Sequence, residues 1–160
     1  MTTDTQPLSV TATTTVEVPI EEAFRFFTEE IGAWWNADHH IIEAPLSHMV
    51  FEPFVGGNVY DVGTDGSECR WSRVLVFDRP HRVVFSWDIN GHWAIEPDPD
   101  RCSQVEVTFT VEGANRTRVV LEHQHLERHG DELRPQLDGI RNGWQAGGLD
   151  LFAAALQRRA

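Results

Sequence analysis

The sequence predicts an α+β fold in which a curved antiparallel β-sheet wraps around a long C-terminal α-helix. Between residues 39 and 127, short segments of alternating apolar and polar residues are separated by turn sequences, a pattern typical of antiparallel hairpins. From residue 136 onward, the apolar residues recur at helical spacing instead. Because a curved sheet must cover its concave face, we expect the C-terminal helix to lie across it.

The N-terminal part predicts one strand followed by two short helices. Residues 8–20, LSVTATTTVEVPI, are rich in Thr and Val and alternate over most of their length, so they predict a half-buried strand that ends at Pro19. The apolar residues that follow share one helical stripe: Ile20, Phe24, Phe27 and Ile31. A break near Gly32 is expected to divide this region into two short helices.

The middle of the chain predicts about six or seven antiparallel strands after the two short helices. Residues 71–88, WSRVLVFDRPHRVVFSWD, read as two strands joined by an Arg-Pro turn, with Trp or Phe on one parity. The segments QVEVTFTVEG and TRVVLEHQHLE alternate strictly and are joined by GAN, which predicts a long hairpin. Between these pairs, INGHWAIEPDPDRCS is expected to be an irregular loop.

The C-terminal segment predicts one long helix that is weakened by Gly143, Gly147 and Gly148. Its apolar residues lie on one broad stripe: Leu137, Ile140, Trp144, Leu149, Phe152 and Leu156. No repeat or linker interrupts the 160 residues, so we expect a single domain, residues 1–160, with its core in residues 8–158.

Composition excludes several classes of function. A formal net charge of −12 opposes binding to nucleic acid, whose phosphates attract basic surfaces. No apolar run approaches the length of a membrane span, and the first residues lack the features of an export signal, so a cytoplasmic location is expected. Cys69 and Cys102 have no CxxC spacing, and no GxGxxG or Walker loop is present, so no disulfide, zinc site or nucleotide cofactor is predicted.

The order of these segments resembles one superfamily over residues 8–158. The resemblance is carried by VEVPIEEAFRFFTE, FEPFVGGNVYD followed by DG, WSRVLVFDRPHRVVFSW, VEVTFTVEG, TRVVLEH, and GW followed by an apolar helix. These segments are similar to the SRPBCC superfamily (START, polyketide cyclase and Bet v 1-like proteins), and within it to the bacterial group related to the C-terminal domain of the Hsp90 ATPase activator. The resemblance implies a helix-grip fold with a cavity for small molecules between sheet and helix, and it implies no shared catalytic residue.

The aromatic parity of the strands suggests which residues would line such a cavity. Rigid amphipathic rings make good pocket walls, although the same rings could simply fill a core. The predicted ligand-binding residues are Trp71, Leu75, Phe85, Trp87, Phe109, His123 and Trp144. The aromatic residues would contact a hydrophobic or aromatic small molecule, and His123 would supply a polar contact. No catalytic residue is assigned.

The histidines and acids of the strands offer weaker signals. His123 and His125 lie two residues apart on a predicted strand and should face the same side, but a metal site needs three or four ligands, and no motif supplies the others. We therefore predict no metal. Arg70 and Arg73 could hold a ligand carboxylate or a buried acid, with Glu68 as a candidate.

Three functions remain compatible with the sequence. The first is a small-molecule binding protein. The second is a cyclase-like or dehydratase-like enzyme that uses His123 with an acid in the same cavity. The third is an interaction module that assists a chaperone. Trp34 and Trp35 should face different ways, and the exposed one could gate the pocket or contact a second copy, so a homodimer is also possible.

Overall fold

Seven strands form one sheet in a computed structural model that describes residues 8–35, 42–90, 92 and 94–159. The strands are β1 (Val10–Val16), β2 (Leu46–Phe51), β3 (Asn58–Gly63), β4 (Glu68–Asp78), β5 (Arg82–Trp87), β6 (Ser103–Gly113) and β7 (Arg116–Gln124). The helices are α1 (Ile20–Glu29), α2 (Ile31–Trp34), α3 (Leu137–Trp144) and α4 (Asp150–Arg159). The predicted α+β helix-grip fold is confirmed. In the predicted strand segment at residues 39–44, residues 39–41 lie outside the described residues, and the prediction is wrong for residues 42–44, which precede β2 without strand structure.

The sheet is a curled half-barrel in which every neighbouring pair is antiparallel. The strand order is β1-β7-β6-β5-β4-β3-β2, so the first strand pairs with the last, from Val10 opposite His123 to Val16 opposite Thr117. Because β1 and β2 lie at opposite edges, the connection that contains α1 and α2 must pass across the sheet. The irregular loop before β6 is also as predicted, apart from one bridge between Ile89 and Ile95 and a short 3-10 turn, Pro99–Arg101.

Two register shifts in β4 change which of its side chains face the core. One lies against β3, where Ser72 pairs with Val59 and Arg70 with Tyr60, so Trp71 is the extra residue. The other lies against β5 and makes Leu75 the extra residue. Each bulge inverts the alternation of the strand. Val74 therefore lies in the core between Trp71 and Phe77, whereas Leu75, predicted on parity to share their face, lies outside the core cluster.

The C-terminal helix is continuous but changes its winding in the middle. A 3-10 helix, Asp131–Gln136, leads into α3, and a π turn, Gln145–Leu149, joins α3 to α4. Trp144 and Leu149 are five residues apart, and both are buried. An ordinary helix would rotate one of them away from the sheet, whereas the wider π turn keeps both on the buried face. The predicted stripe is confirmed: Trp144, Leu149, Phe152 and Leu156 are buried, and Leu137 and Ile140 pack partly against the core.

Phenylalanine rings fill the centre of the molecule. Phe24 and Phe27 of α1 pack edge to face on Phe109 of β6, with ring centroids 5.2 and 5.8 Å apart. Phe152 of α4 meets Phe27 at 5.5 Å and Trp34 at 5.6 Å. This end of the space between sheet and helix is therefore solid. No helix among the described residues is long and apolar enough to cross a membrane.

Candidate functional site

A cavity of about 430 Å³ lies between the sheet and the C-terminal helix, on the far side of the phenylalanine centre, and is partly open to solvent. It lies where β5 and β7 end. Its walls come from the sheet and the segments that follow β5, β7 and α2, and on the other side from the 3-10 helix Asp131–Gln136, α3 and the π turn. The lining residues are Trp35, Trp87, Ile89, Asn90, His123, Leu126, Leu133, Pro135, Gln136, Gly139, Ile140, Gly143, Trp144, Gly147 and Gly148.

Four tryptophans form a closed ring beside the cavity. The ring centroids of neighbours are 5.2 Å apart for Trp35 and Trp71, 5.5 Å for Trp71 and Trp87, 5.5 Å for Trp87 and Trp144, and 5.7 Å for Trp144 and Trp35. Three of the rings line the cavity, and Trp71 stands behind them. The Trp71 indole N–H donates to the buried Asp61 carboxylate over 3.1 Å, which holds Trp71 in place behind the other three tryptophans. We call this cluster the tryptophan ring.

Glycines make the helical wall of the cavity. Gly139 and Gly143 are four residues apart on α3, so they lie on the same face of the helix. A Cβ atom added at either position would meet no heavy atom within 4 Å. The cavity therefore owes part of its volume to side chains that α3 lacks.

His123 is the titratable side chain of the wall. It is buried, and burial, followed by the effect of His129, lowers its pKa to about 3, so the ring is neutral near pH 7. Its Nδ1 accepts a hydrogen bond from the Trp144 indole N–H over 3.0 Å, and its Nε2 lies 2.7 Å from the Ser103 hydroxyl. Both ring nitrogens are thus engaged within the protein, and His123 holds Trp144 in the wall.

The prediction that His125 faces the same side as His123 is wrong. β7 ends at Gln124, and His125 has a left-handed backbone with a φ of 61° that starts the next 3-10 turn. Its side chain is partly exposed and lies 3.5 Å from Glu127. Among the residues that the structure describes, no three His, Cys, Asp or Glu side chains are grouped as metal ligands.

The acids of the strands lie away from the cavity. Asp88 is buried and takes two hydrogen bonds of 3.1 Å from Arg73, which raise the pKa of that guanidinium. Arg73 therefore does hold a buried acid, although the acid is Asp88 and not Glu68, which pairs with Arg70 on the exposed side. No carboxylate is present among the described residues that line the cavity.

Residues 17–157 match the family described as Activator of Hsp90 ATPase homolog 1-like protein. The chain belongs to this family. No curated protein matches the sequence of this chain. The helix-grip sheet and the tryptophan ring are thus features of one member of the Hsp90-activator-like family.

Three solved structures are similar to this family member over almost its whole length. The anthrahydroquino-γ-pyrone synthase Txn09, complexed with a molecule designated SUM, is 38% identical, with a TM-score of 0.65 over 92% of this chain and 96% of that one. An Hsp90 activator from Plasmodium falciparum is 22% identical, with a TM-score of 0.63 over 94% and 96% of the two chains. A protein from Mesorhizobium loti is 19% identical, with a TM-score of 0.68 over 96% and 99%. The last two show the fold alone.

The predicted ligand-binding residues of this family member are divided between the cavity and the core. Trp87, His123 and Trp144 line the cavity, and Trp71 lies behind it in the tryptophan ring. Phe85 packs against Phe51 and Trp71, and Phe109 belongs to the phenylalanine centre. These two and Leu75 are not lining residues.

Sequence reasoning missed most of the wall that lies opposite the sheet. The sequence pattern predicts no lining residue in 126–140, and it suggests Trp35 only as a gate or an interface residue. As predicted, one of these adjacent tryptophans is buried and the other is partly exposed; the buried one is Trp34 and the partly exposed one is Trp35. Glycine at positions 139, 143 and 147 is the signal that could have identified the helical wall. Because glycine destabilises a helix, its repetition every four residues on one face indicates a place where side chains must be absent.

Proposed function

We propose that this protein binds an uncharged, planar aromatic small molecule in the cavity beside the tryptophan ring. The observation that carries the proposal is a cavity of about 430 Å³ walled by Trp35, Trp87 and Trp144. That volume lies within the roughly 300–1,000 Å³ typical of small-molecule sites. Indole rings offer a flat ligand a large contact area at a small entropic cost, because they rotate about few bonds.

The polarity of the wall supports an uncharged ligand. The described lining residues include no Asp, Glu, Lys or Arg, and His123 is neutral because burial lowers its pKa to about 3. An ionised ligand would lose its hydration there without gaining a counter-charge. The Asn90 side-chain oxygen accepts from the backbone N–H groups of His92 and Ala94, so its NH2 group would serve as the donor to a carbonyl or hydroxyl group of a neutral molecule.

The similarity to Txn09 supports the aromatic class of ligand. Txn09 is a synthase of an anthrahydroquino-γ-pyrone, a fused aromatic compound, and the two chains are 38% identical over nearly their whole lengths. We infer that the ligand of this protein is a polycyclic aromatic compound of the polyketide type.

A second candidate function is catalysis of a ring closure on such a molecule. The similarity to Txn09, which is a synthase, favours it. Within this chain the base would be His123, after a ligand hydroxyl replaces the Trp144 N–H at Nδ1, but burial lowers its pKa to about 3, which makes it a weak base and favours binding over catalysis. The acid expected beside it would have to come from the ligand, because the buried Asp61 and Asp88 are bonded to Trp71 and Arg73. The chaperone-assisting alternative has the support of the family description only.

The binding proposal is tested by titrating the protein with emodin, a hydroxyanthraquinone, in a calorimeter. We expect wild type to bind one equivalent, and Gly143→Leu to bind at least about tenfold more weakly, because the leucine side chain would occupy the cavity. Gly143→Leu should also fold well, since leucine is favoured over glycine inside a helix by about 0.8 kcal/mol.

The matched control is Asn142→Leu. It adds the same side chain at the neighbouring, exposed position of α3, which does not line the cavity. Equal affinity of emodin for wild type and Gly143→Leu, or equal weakening by both leucine variants, would place binding elsewhere and end the proposal.

A further inference from the structure

Four side chains form a hydrogen-bonded chain that begins at the cavity wall and ends outside it. Trp144 and His123 line the cavity, whereas Ser103 at the start of β6 and His129 in the turn after β7 do not. The links measure 3.0 Å from Trp144 to His123, 2.7 Å from His123 to Ser103, and 2.6 Å from Ser103 to His129. None of the four residues exposes more than 6% of its surface.

Two groups that can only donate decide the direction of every link. The Trp144 indole N–H requires a lone pair on His123 Nδ1, so the proton of the neutral His123 ring is on Nε2. The backbone N–H of Ser103 donates to His129 Nε2 over 3.1 Å, so that nitrogen also carries a lone pair. The Ser103 hydroxyl must therefore accept from His123 Nε2 and donate to His129 Nε2.

Both histidines are neutral in this arrangement. Burial is the largest effect on His129, and it lowers the pKa of the ring although Asp88 and Glu96 oppose the shift; Arg101 assists it. The proton of the neutral His129 is then on Nδ1, for which the described residues provide no acceptor. A buried donor without a partner costs about 1–3 kcal/mol, so the arrangement is maintained against an energetic penalty.

We propose that Ser103 and His129 are positioning residues of the cavity: they hold His123 in its Nε2–H tautomer, and His123 in turn holds the Trp144 indole in the wall. Without the Ser103 hydroxyl, His123 Nε2–H would face no acceptor. The His123 imidazole could then carry its proton on Nδ1 instead. In that tautomer the Nδ1–H and the Trp144 indole N–H would both be donors, and the hydrogen bond between them would be lost. The indole would have to turn, and the shape of the cavity would change.

The tautomer follows from the contacts of the ligand-free protein, whereas the effect on ligand affinity rests on the proposed function. The experiment therefore has two readouts. Nitrogen-15 NMR of the imidazole rings reports which nitrogen of His123 is protonated, and the Trp144 indole N–H resonance reports its hydrogen bond. Calorimetric titration with emodin reports the state of the cavity.

We expect His123 to be protonated on Nε2 in wild type at pH 7. Ser103→Ala should give a mixture of tautomers, shift the Trp144 N–H resonance and weaken emodin binding about tenfold. Ser103→Thr, which keeps the hydroxyl, should retain the tautomer. His129→Phe removes the last acceptor of the chain and should act in the same direction as Ser103→Ala.

The matched control is Ser86→Ala. Ser86 is as buried as Ser103, and its hydroxyl accepts a hydrogen bond of 2.8 Å from the Arg73 backbone N–H. It takes no part in the hydrogen bonds that run from Trp144 to His129. This variant should leave the His123 signals unchanged. An Nδ1–H tautomer of His123 in wild type would overturn the proposal even if no variant folds, and so would an unchanged His123 in Ser103→Ala. If wild type fails to bind emodin, the proposed function fails for that probe while the NMR result still decides the positioning roles.

Discussion

Replacing Phe152 by alanine is expected to lower the free energy of unfolding by about 3–5 kcal/mol, the usual cost of removing a buried aromatic side chain. Phe152 is completely buried, and its ring contacts those of Phe26, Phe27 and Trp34 at centroid distances of 5.5 to 5.9 Å. Its loss would open a void where α4 meets α1 and α2. Urea denaturation followed by circular dichroism measures the change.

The same substitution at Phe54 is the control. Phe54 is 54% exposed, so Phe54→Ala should change the free energy of unfolding by less than about 1 kcal/mol. Phe152 does not line the cavity, so Phe152→Ala should bind emodin as wild type does wherever it is folded. A loss of less than about 2 kcal/mol would mean that the phenylalanine centre is not the main source of stability.

Lowering the pH from 6.5 to 4.5 is expected to cost about 2 kcal/mol of stability through His123 alone. The folded-state pKa of His123 is about 3, whereas an unfolded histidine has a pKa of about 6.5. Between these values the unfolded chain binds the proton and the folded protein does not, so stability falls by up to about 1.4 kcal/mol per pH unit. The stability that the neutral, buried His123 retains is fully present above the unfolded pKa of about 6.5, and it is lost as the pH falls toward the folded pKa of about 3.

This prediction is checked by measuring the free energy of unfolding at pH 6.5 and at pH 4.5. The difference between the two pH values should be about 2 kcal/mol smaller in His123→Gln than in wild type. His81→Gln, which changes an exposed histidine at the turn between β4 and β5, should keep the wild-type difference. An NMR titration of His123 with a midpoint near 6.5 would contradict the burial-driven shift.

Most of the fold follows from local patterns in the sequence. The strict alternation of β6 and β7 and the helical stripe of α1 fix which side chains are buried, because one face of each element must cover the core. Parity failed in β4, where Trp71 and Leu75 are extra residues at bulges. A bulge is set by the pairing of neighbouring strands, so the alternation within one strand cannot reveal it.

The candidate site was harder to derive than the fold. The sequence identified Trp87, His123 and Trp144 as pocket residues, since aromatic side chains at strand ends and on the helix stripe are visible in the pattern. It did not separate them from Phe85 and Phe109, because a wall and a core use the same apolar residues. The position of the cavity depends on which rings fill the centre, and that is decided by tertiary packing.

The tryptophan ring has an optical consequence. Neighbouring indoles with centroids only 5.2 to 5.7 Å apart couple their electronic transitions and exchange excitation energy. The far-ultraviolet circular dichroism of the folded protein should therefore contain an exciton couplet whose sign and amplitude depend on how the rings are inclined to one another. A molecule that displaces Trp35, Trp87 or Trp144 would alter that couplet, so the unlabelled protein carries its own sensor of occupancy.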